Sequence, residues 1–273
     1  FNSVHIRGFL ESDEFRYNRI SVVSGETWNA PGGGIIEEVD PLERIIYLKL
    51  EPGELAEIEI DDICKGKFND SVTGFHTSYF RISEKIDEKT PDDTIVVTDV
   101  GQHQLWAAQF YKYTRPRTLL TSGGLGTMGY SMGAAFGAAM GCPDQTVVMF
   151  AGDGGFHMNL SELATMASYN IPVKMFIMNN TVLGMVRQWQ KLFYDNRFSD
   201  TDPHRITDFV KVAEAFGVKG MRIHTNDDID AVLAEALAYP GPVLVDCRIS
   251  PDSNVLPMIP PGGAHTDIIE QFN

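Results

Sequence analysis

The chain has 273 residues, 43% of them hydrophobic, which is enough to bury a sizeable core in one large domain or two modest ones. Its 37 acidic and 22 basic residues give a net charge of −15, a balance that argues against nucleic acid as a partner, since phosphate backbones demand clustered Lys and Arg. Cys64, Cys142 and Cys247 are too few and too widely spaced for a disulfide framework or a Cys₄ zinc site, and fit a reducing, cytoplasmic setting.

Residues 1–10 lack the apolar stretch of a signal peptide, and no run of about 20 apolar residues would span a membrane. The chain opens on Phe1 rather than Met, which reads as a fragment or a processed product. Residues 1–80 alternate apolar and polar side chains, as at residues 45–50 and 56–60, with turn signals at residues 31–34 and at Pro52-Gly53. This segment reads as β-rich and carries no catalytic motif. Between Glu37 and Asp62 stand ten acidic residues against two basic ones, Arg44 and Lys49. That run reads as a solvated face, with a docking surface as the alternative.

From about residue 82 apolar runs alternate with helical patterns. Strands are expected at residues 95–98, 146–150, 173–178 and 242–246. Helices are expected from residue 104 to 110, 129 to 140, 208 to 216 and 228 to 239. Asn159-Leu160-Ser161-Glu162 has the form of a capping box and predicts a helix start at Asn159. Such alternation implies an α/β fold, a mostly parallel sheet flanked by helices on both faces, with ligands gathered beyond the carboxyl ends of the strands. Asp99, Asp153 and Asn180 would all fall on that edge.

Asp153, in Gly152-Asp153-Gly154-Gly155, and Asn180, in Asn179-Asn180, lie 27 residues apart, each just after an apolar strand. One helix and one strand separate them, the length that brings both to adjacent strand ends. A carboxylate and an amide oxygen can fill two positions of an octahedral Mg²⁺. Backbone oxygen, water and ligand phosphate can fill the rest. Gly154 and Gly155 leave room for phosphate oxygens to approach backbone N–H groups.

The pair resembles the signature of thiamine diphosphate-dependent enzymes. The likeness extends to Val100-Gly101-Gln102-His103-Gln104, residues 121–129, residues 184–190 and Val255-Leu256-Pro257-Met258, which look like the catalytic subunit of acetolactate synthase. It covers roughly residues 82–270. By position it implies Asp153, Asn180 and the backbone oxygen of Val182 as Mg²⁺ ligands. Val100, Gly101, Gln102, His103, Gly152, Gly154 and Gly155 would lie along the cofactor, with His103 as a hydrogen-bond donor to the diphosphate. Leu183, Gly184 and Met185 would complete this side. Gly126 and Met128 would sit at the thiazolium ring, Met128 holding its bent shape, and Trp189 would select the acceptor. The segment from 254 to 270 would close over the site.

The activity implied is condensation of pyruvate with a second 2-ketoacid and loss of CO₂, through a carbanion that thiamine diphosphate provides. Such enzymes take an activating glutamate from a separate pyrimidine-binding domain, often across a dimer interface. No such motif stands in residues 1–80, and FAD would bind only with a further domain. Residues 81–273 are therefore expected to act as a diphosphate half-site within a homo- or hetero-oligomer. A related 2-ketoacid decarboxylase, carboligase or oxidase, or a non-catalytic cofactor-binding fragment, is the alternative. One departure is Met132-Gly133, where the family usually has Leu-Pro. It should loosen the helix start by about 1 kcal/mol.

Overall fold

The structure, a computed structural model, describes residues 79–270 with their side chains, and residues 4–11, 14–22, 35–40, 45–50 and 54–59 as strands. The chain divides into two compact units, Phe1–His76 and Thr77–Asn273. In the first, β1 (Val4–Glu11) pairs antiparallel with β2 (Glu14–Val22), with an irregularity at Gly8. A second antiparallel sheet has the order β3 (Ile35–Asp40), β4 (Ile45–Leu50), β5 (Glu54–Glu59). The strands expected at 45–50 and 56–60 correspond to β4 and β5. The turns read at 31–34 and at Pro52-Gly53, and the side chains of the acidic run, lie outside the described residues.

The second unit is built on six parallel strands: β6 (Ile95–Thr98), β7 (Leu119–Leu120), β8 (Val147–Gly152), β9 (Val173–Asn179), β10 (Lys219–Ile223) and β11 (Val243–Arg248). Their order across the sheet is β10-β11-β9-β8-β6-β7. The middle strands are apolar along nearly their whole length because both of their faces are covered. In β8 the side chains alternate. Val148 and Phe150 face one core, while Val147, Met149 and Ala151 face the other.

The first core is completed by α1 (Tyr79–Lys89), α2 (Gln102–Phe110) and α8 (Ile229–Ala238), through Ile82 and Ile86, Trp106, and Leu233. The second is completed by α3 (Tyr130–Gly141), α4 (Asp153–Asn159), α5 (Leu163–Ser168) and α7 (Phe209–Ala215). Phe150, Phe156 and Phe176 are fully buried, and truncating any one of them to alanine would cost about 3–5 kcal/mol. A further helix, α6 (Gly184–Phe193), follows β9. Among the described residues no helix is long and apolar enough to cross a membrane.

The capping box expected at Asn159 is not formed. Asn159 does stand at the N-cap of the 3₁₀ turn Leu160–Glu162, which runs on into α5, but a separate helix, α4, already begins at Asp153, where an acid in the first turn suits the helix dipole, and ends at Asn159. Its side chain instead donates to the Gly129 carbonyl at 2.8 Å. Glu162 accepts from Thr165 Oγ1, in the 3₁₀ turn that leads to α5. Among the described residues, α1, the edge strand β10, which carries Lys219, Gly220 and Arg222, and the two-residue β7 have no counterpart in the sequence reading. The two strands lack the apolar run that marks a central strand.

Candidate functional site

Strands β6, β8 and β9 deliver their ends to one edge of the sheet. Thr98 lies opposite Phe150, and Gly152 opposite Met178. The chain leaving β8 at Asp153 and the chain leaving β9 at Asn180 therefore emerge side by side.

Asp153 is 2% exposed. Burial raises its pKa, against the opposing charge of Arg205. Arg205 Nη1 donates to Asp153 Oδ2 at 2.9 Å. The Asp153 carbonyl contacts His157 Nδ1 at 2.6 Å, and His157 Nε2 meets Thr207 Oγ1 at 2.9 Å. Across the edge, Asn180 Oδ1 accepts from the Val182 N–H at 3.2 Å. Thr181 between them has φ 62°, a left-handed conformation uncommon for a β-branched residue and of the kind that collects at functional turns.

Gln102 links this turn to two other segments. Its Oε1 accepts from Asn180 Nδ2 at 3.3 Å, and its Nε2 donates to Gln188 Oε1 and to the Ser253 carbonyl, each at 2.9 Å. A β-carbon on Gly184 would come within 2.0 Å of Gln102 Oε1, so any larger residue there would displace the Gln102 and Asn180 carboxamides. Gln188, 2% exposed, also binds both main-chain groups of Val255 and thereby docks the C-terminal segment onto α6. Sequence reasoning missed Gln188. The residues on this helix that the sequence singles out, Met185 and Trp189, are not core: Met185 is half-buried, and Trp189 is 38% exposed and packs edge-on against Phe193.

Asp99, fully buried, serves another purpose. Its carboxylate accepts from the N–H groups of Val100, Gly129 and Ser131 and from the Ser131 hydroxyl, capping α3 from a distant strand. A β-carbon on Gly155 would fall 2.0 Å from Asp99 Oδ1, so the β-carbon side of Gly155 is taken by this carboxylate. Gly154 instead faces Leu183 and the Arg205 guanidinium.

His103 is 4% exposed, and burial pushes its ring down to about 4, with Asp99 pulling the other way. The Gly152 N–H donates to its Nε2 at 3.2 Å. In this structure the ring thus accepts a hydrogen bond and braces the turn from β8 into α4, instead of offering that nitrogen as a donor. Gly101 and Val100 lie beside it, half-buried. The 122–128 loop is open to solvent. Leu125 is 96% exposed and Met128 38%, with left-handed glycines at Gly126 and Gly129. A cleft of about 390 Å³ runs between α2 and residues 121–126.

The donor set fits a hard cation. Asp153 is a buried anion with a cation at hand, and the amide oxygen of Asn180 stands on the adjacent strand end. Among the described residues no group of three or more His, Cys, Asp or Glu could hold a metal. A site here must therefore complete itself with main-chain oxygen, water or a ligand.

A parallel sheet flanked by helices, with polar side chains gathered beyond the carboxyl ends of neighbouring strands, defines an α/β ligand-binding domain. Residues 99–247 match the C-terminal TPP binding domain of thiamine pyrophosphate enzymes, and the chain belongs to this family. It is 43% identical over 190 residues to the acetolactate synthase isozyme 2 large subunit of Escherichia coli (strain K12), covering 70% of this chain and 35% of that protein. It is 47% identical over 193 residues to acetolactate synthase 1, chloroplastic, of Nicotiana tabacum (68% and 29%). With the probable acetolactate synthase large subunit of Methanocaldococcus jannaschii it shares 46% over 196 residues (72% and 33%). The chain spans about a third of the length of the curated relatives it matches.

Proposed function

We propose that residues 79–270 form the diphosphate-and-metal half of an active site that condenses pyruvate with a second 2-ketoacid and releases CO₂. The pairing of Asp153 with Asn180 at adjacent strand ends supports this most directly, together with the acetolactate synthase relatives. Asp153, Asn180 and the main-chain oxygen of Val182 would hold Mg²⁺. Val100, Gly101, Gln102, His103, Gly152, Gly154, Gly155 and Leu183 to Met185 would line the cofactor. When bound, thiamine diphosphate supplies the nucleophilic carbon and the electron sink.

The chain's own residues position and shield. Gly126 and Met128 would support the ring from the exposed loop, and Trp189 would meet the acceptor ketoacid. The docked C-terminal segment would exclude water. The exposure of Leu125, Met128, Trp189 and Ile206 suits cover by a second domain that brings the activating glutamate, in a homo- or hetero-oligomer. FAD would enter only with a further domain.

Calorimetry with Mg²⁺ and thiamine diphosphate tests the half-site. Asp153→Ala should abolish metal-dependent binding, and an unchanged affinity would place the metal elsewhere. Pairing the chain with a pyrimidine-binding domain and assaying acetolactate from pyruvate tests the reaction. Cofactor binding without any turnover would remove the condensation reading and keep the binding one.

A further inference from the structure

Arg205 belongs to none of the motifs that point to the cofactor, yet its side chain stands in the middle of the candidate site. It is 21% exposed and the Asp153 side chain it binds is 3% exposed. Besides its 2.9 Å contact with Asp153 Oδ2, the guanidinium lies beside Gly154, where an added β-carbon would be 3.4 Å from Nη1 and 3.6 Å from Nη2. It therefore fills the space next to the carboxylate and next to the glycine backbone, the space a metal-bound phosphate would need.

The loop that carries Arg205 is fastened on both sides. On one side the Leu183 N–H donates to the Thr201 carbonyl at 2.8 Å, and Thr201 Oγ1 donates to Gln190 Oε1 at 2.9 Å. On the other, Thr207 Oγ1 meets His157 Nε2, and Asp208 caps α7 while pairing with Arg222. The main chain thus holds the arginine over Asp153, and only its side chain has to swing to leave.

We propose that Arg205 is a placeholder cation: it neutralises Asp153 in the metal-free chain and is displaced when a divalent cation binds. The inference rests on the reading of Asp153 as a metal ligand. A guanidinium presents only N–H donors and cannot coordinate a metal. Two cations crowded onto one buried carboxylate repel each other strongly where the dielectric is low. The arginine spares the metal-free fold an unpaired buried charge, which would be costly, and in exchange it competes with the metal.

Mn²⁺ alone, titrated into the chain and followed by the loss of its free-ion EPR signal, reads the competition directly. Arg205→Met should bind Mn²⁺ about tenfold more tightly than the parent chain, the equivalent of one charge-assisted hydrogen bond. Arg205→Lys should fall between them, and serves if the methionine variant does not fold. Asp153→Asn should abolish binding in every background. In the metal-free chain, melting of the two single variants and of the Arg205→Met, Asp153→Asn double variant should be non-additive.

Unchanged or weaker Mn²⁺ binding in Arg205→Met, with Asp153→Asn still abolishing it, would overturn the placeholder role alone. Additive melting effects would do the same. Mn²⁺ binding that survives Asp153→Asn, or no binding in any variant, would overturn the metal-site reading and the placeholder with it.

Discussion

Two carboxylates leave neighbouring strands of the same sheet, equally buried, and the molecule treats them in opposite ways. Asp99, after β6, accepts from four donors, three main-chain N–H groups and a hydroxyl, and caps α3. Asp153, after β8, has a carboxylate paired with one long side chain, Arg205, beside the Gly154 N–H. Burial alone does not mark a binding residue. What separates the two is whether fixed donors have already used up the lone pairs. Asp99 is closed and belongs to the fold, while Asp153 keeps lone pairs that no such set of fixed donors fills.

The largest effect that would break this contrast is in stability. Asp99→Ala strands three buried N–H groups and a hydroxyl, and should destabilise the chain by about 4 kcal/mol in urea unfolding. Asp153→Ala should leave the metal-free chain within about 1 kcal/mol of the parent, since Arg205 can turn to water. Equal losses at the two positions would erase the distinction.

His103, which lies between the two, sharpens it through pH. Its folded pKa of about 4 lies below the ordinary 6.5. Within that window the unfolded chain binds the extra proton, so stability falls as pH drops from 6.5 toward 4, by up to about 3 kcal/mol. His103→Gln should remove that slope, measured as the difference between the two unfolding curves across pH. The smallest effect concerns the helix that Asp99 caps. Gly133 is exposed in its first turns, and an added β-carbon there meets nothing within 4 Å. Gly133→Ala should raise stability by about 0.5–1 kcal/mol, with a matching rise in melting temperature and no change in cofactor binding.

Much of the fold was legible because the central strands announce themselves. Residues 147–152 and 173–179 are apolar runs of strand length, and the helix between them fixes where Asp153 and Asn180 emerge. The Asp153 and Asn180 pair was readable for the same reason. Arg205 and Gln188 were not. Arg205 sits in a polar loop without periodicity, 52 residues from its partner. Gln188 is a polar residue on the inward face of a helix whose apolar residues drew the eye. The helical stretch after Asn159 was legible, but its capping box was not formed, because the Asn159 side chain reaches the Gly129 carbonyl instead. The roles of Gly154 and Gly155 were read alike from sequence, yet Asp99 fills the space beside one and Arg205 the space beside the other.

The carboxamides joining Asn180 to the C-terminal segment carry a direction as well as a connection. The main chain of Val255 cannot be flipped. Its N–H forces Gln188 to present Oε1, and its carbonyl forces Gln188 to present Nε2. The same Oε1 receives Gln102 Nε2, which leaves Gln102 Oε1 to accept from Asn180 Nδ2. Asn180 must then turn its own oxygen the other way, toward Val182. The polarity of a candidate metal ligand is thus written 75 positions away in sequence, in a segment that never has to touch the metal.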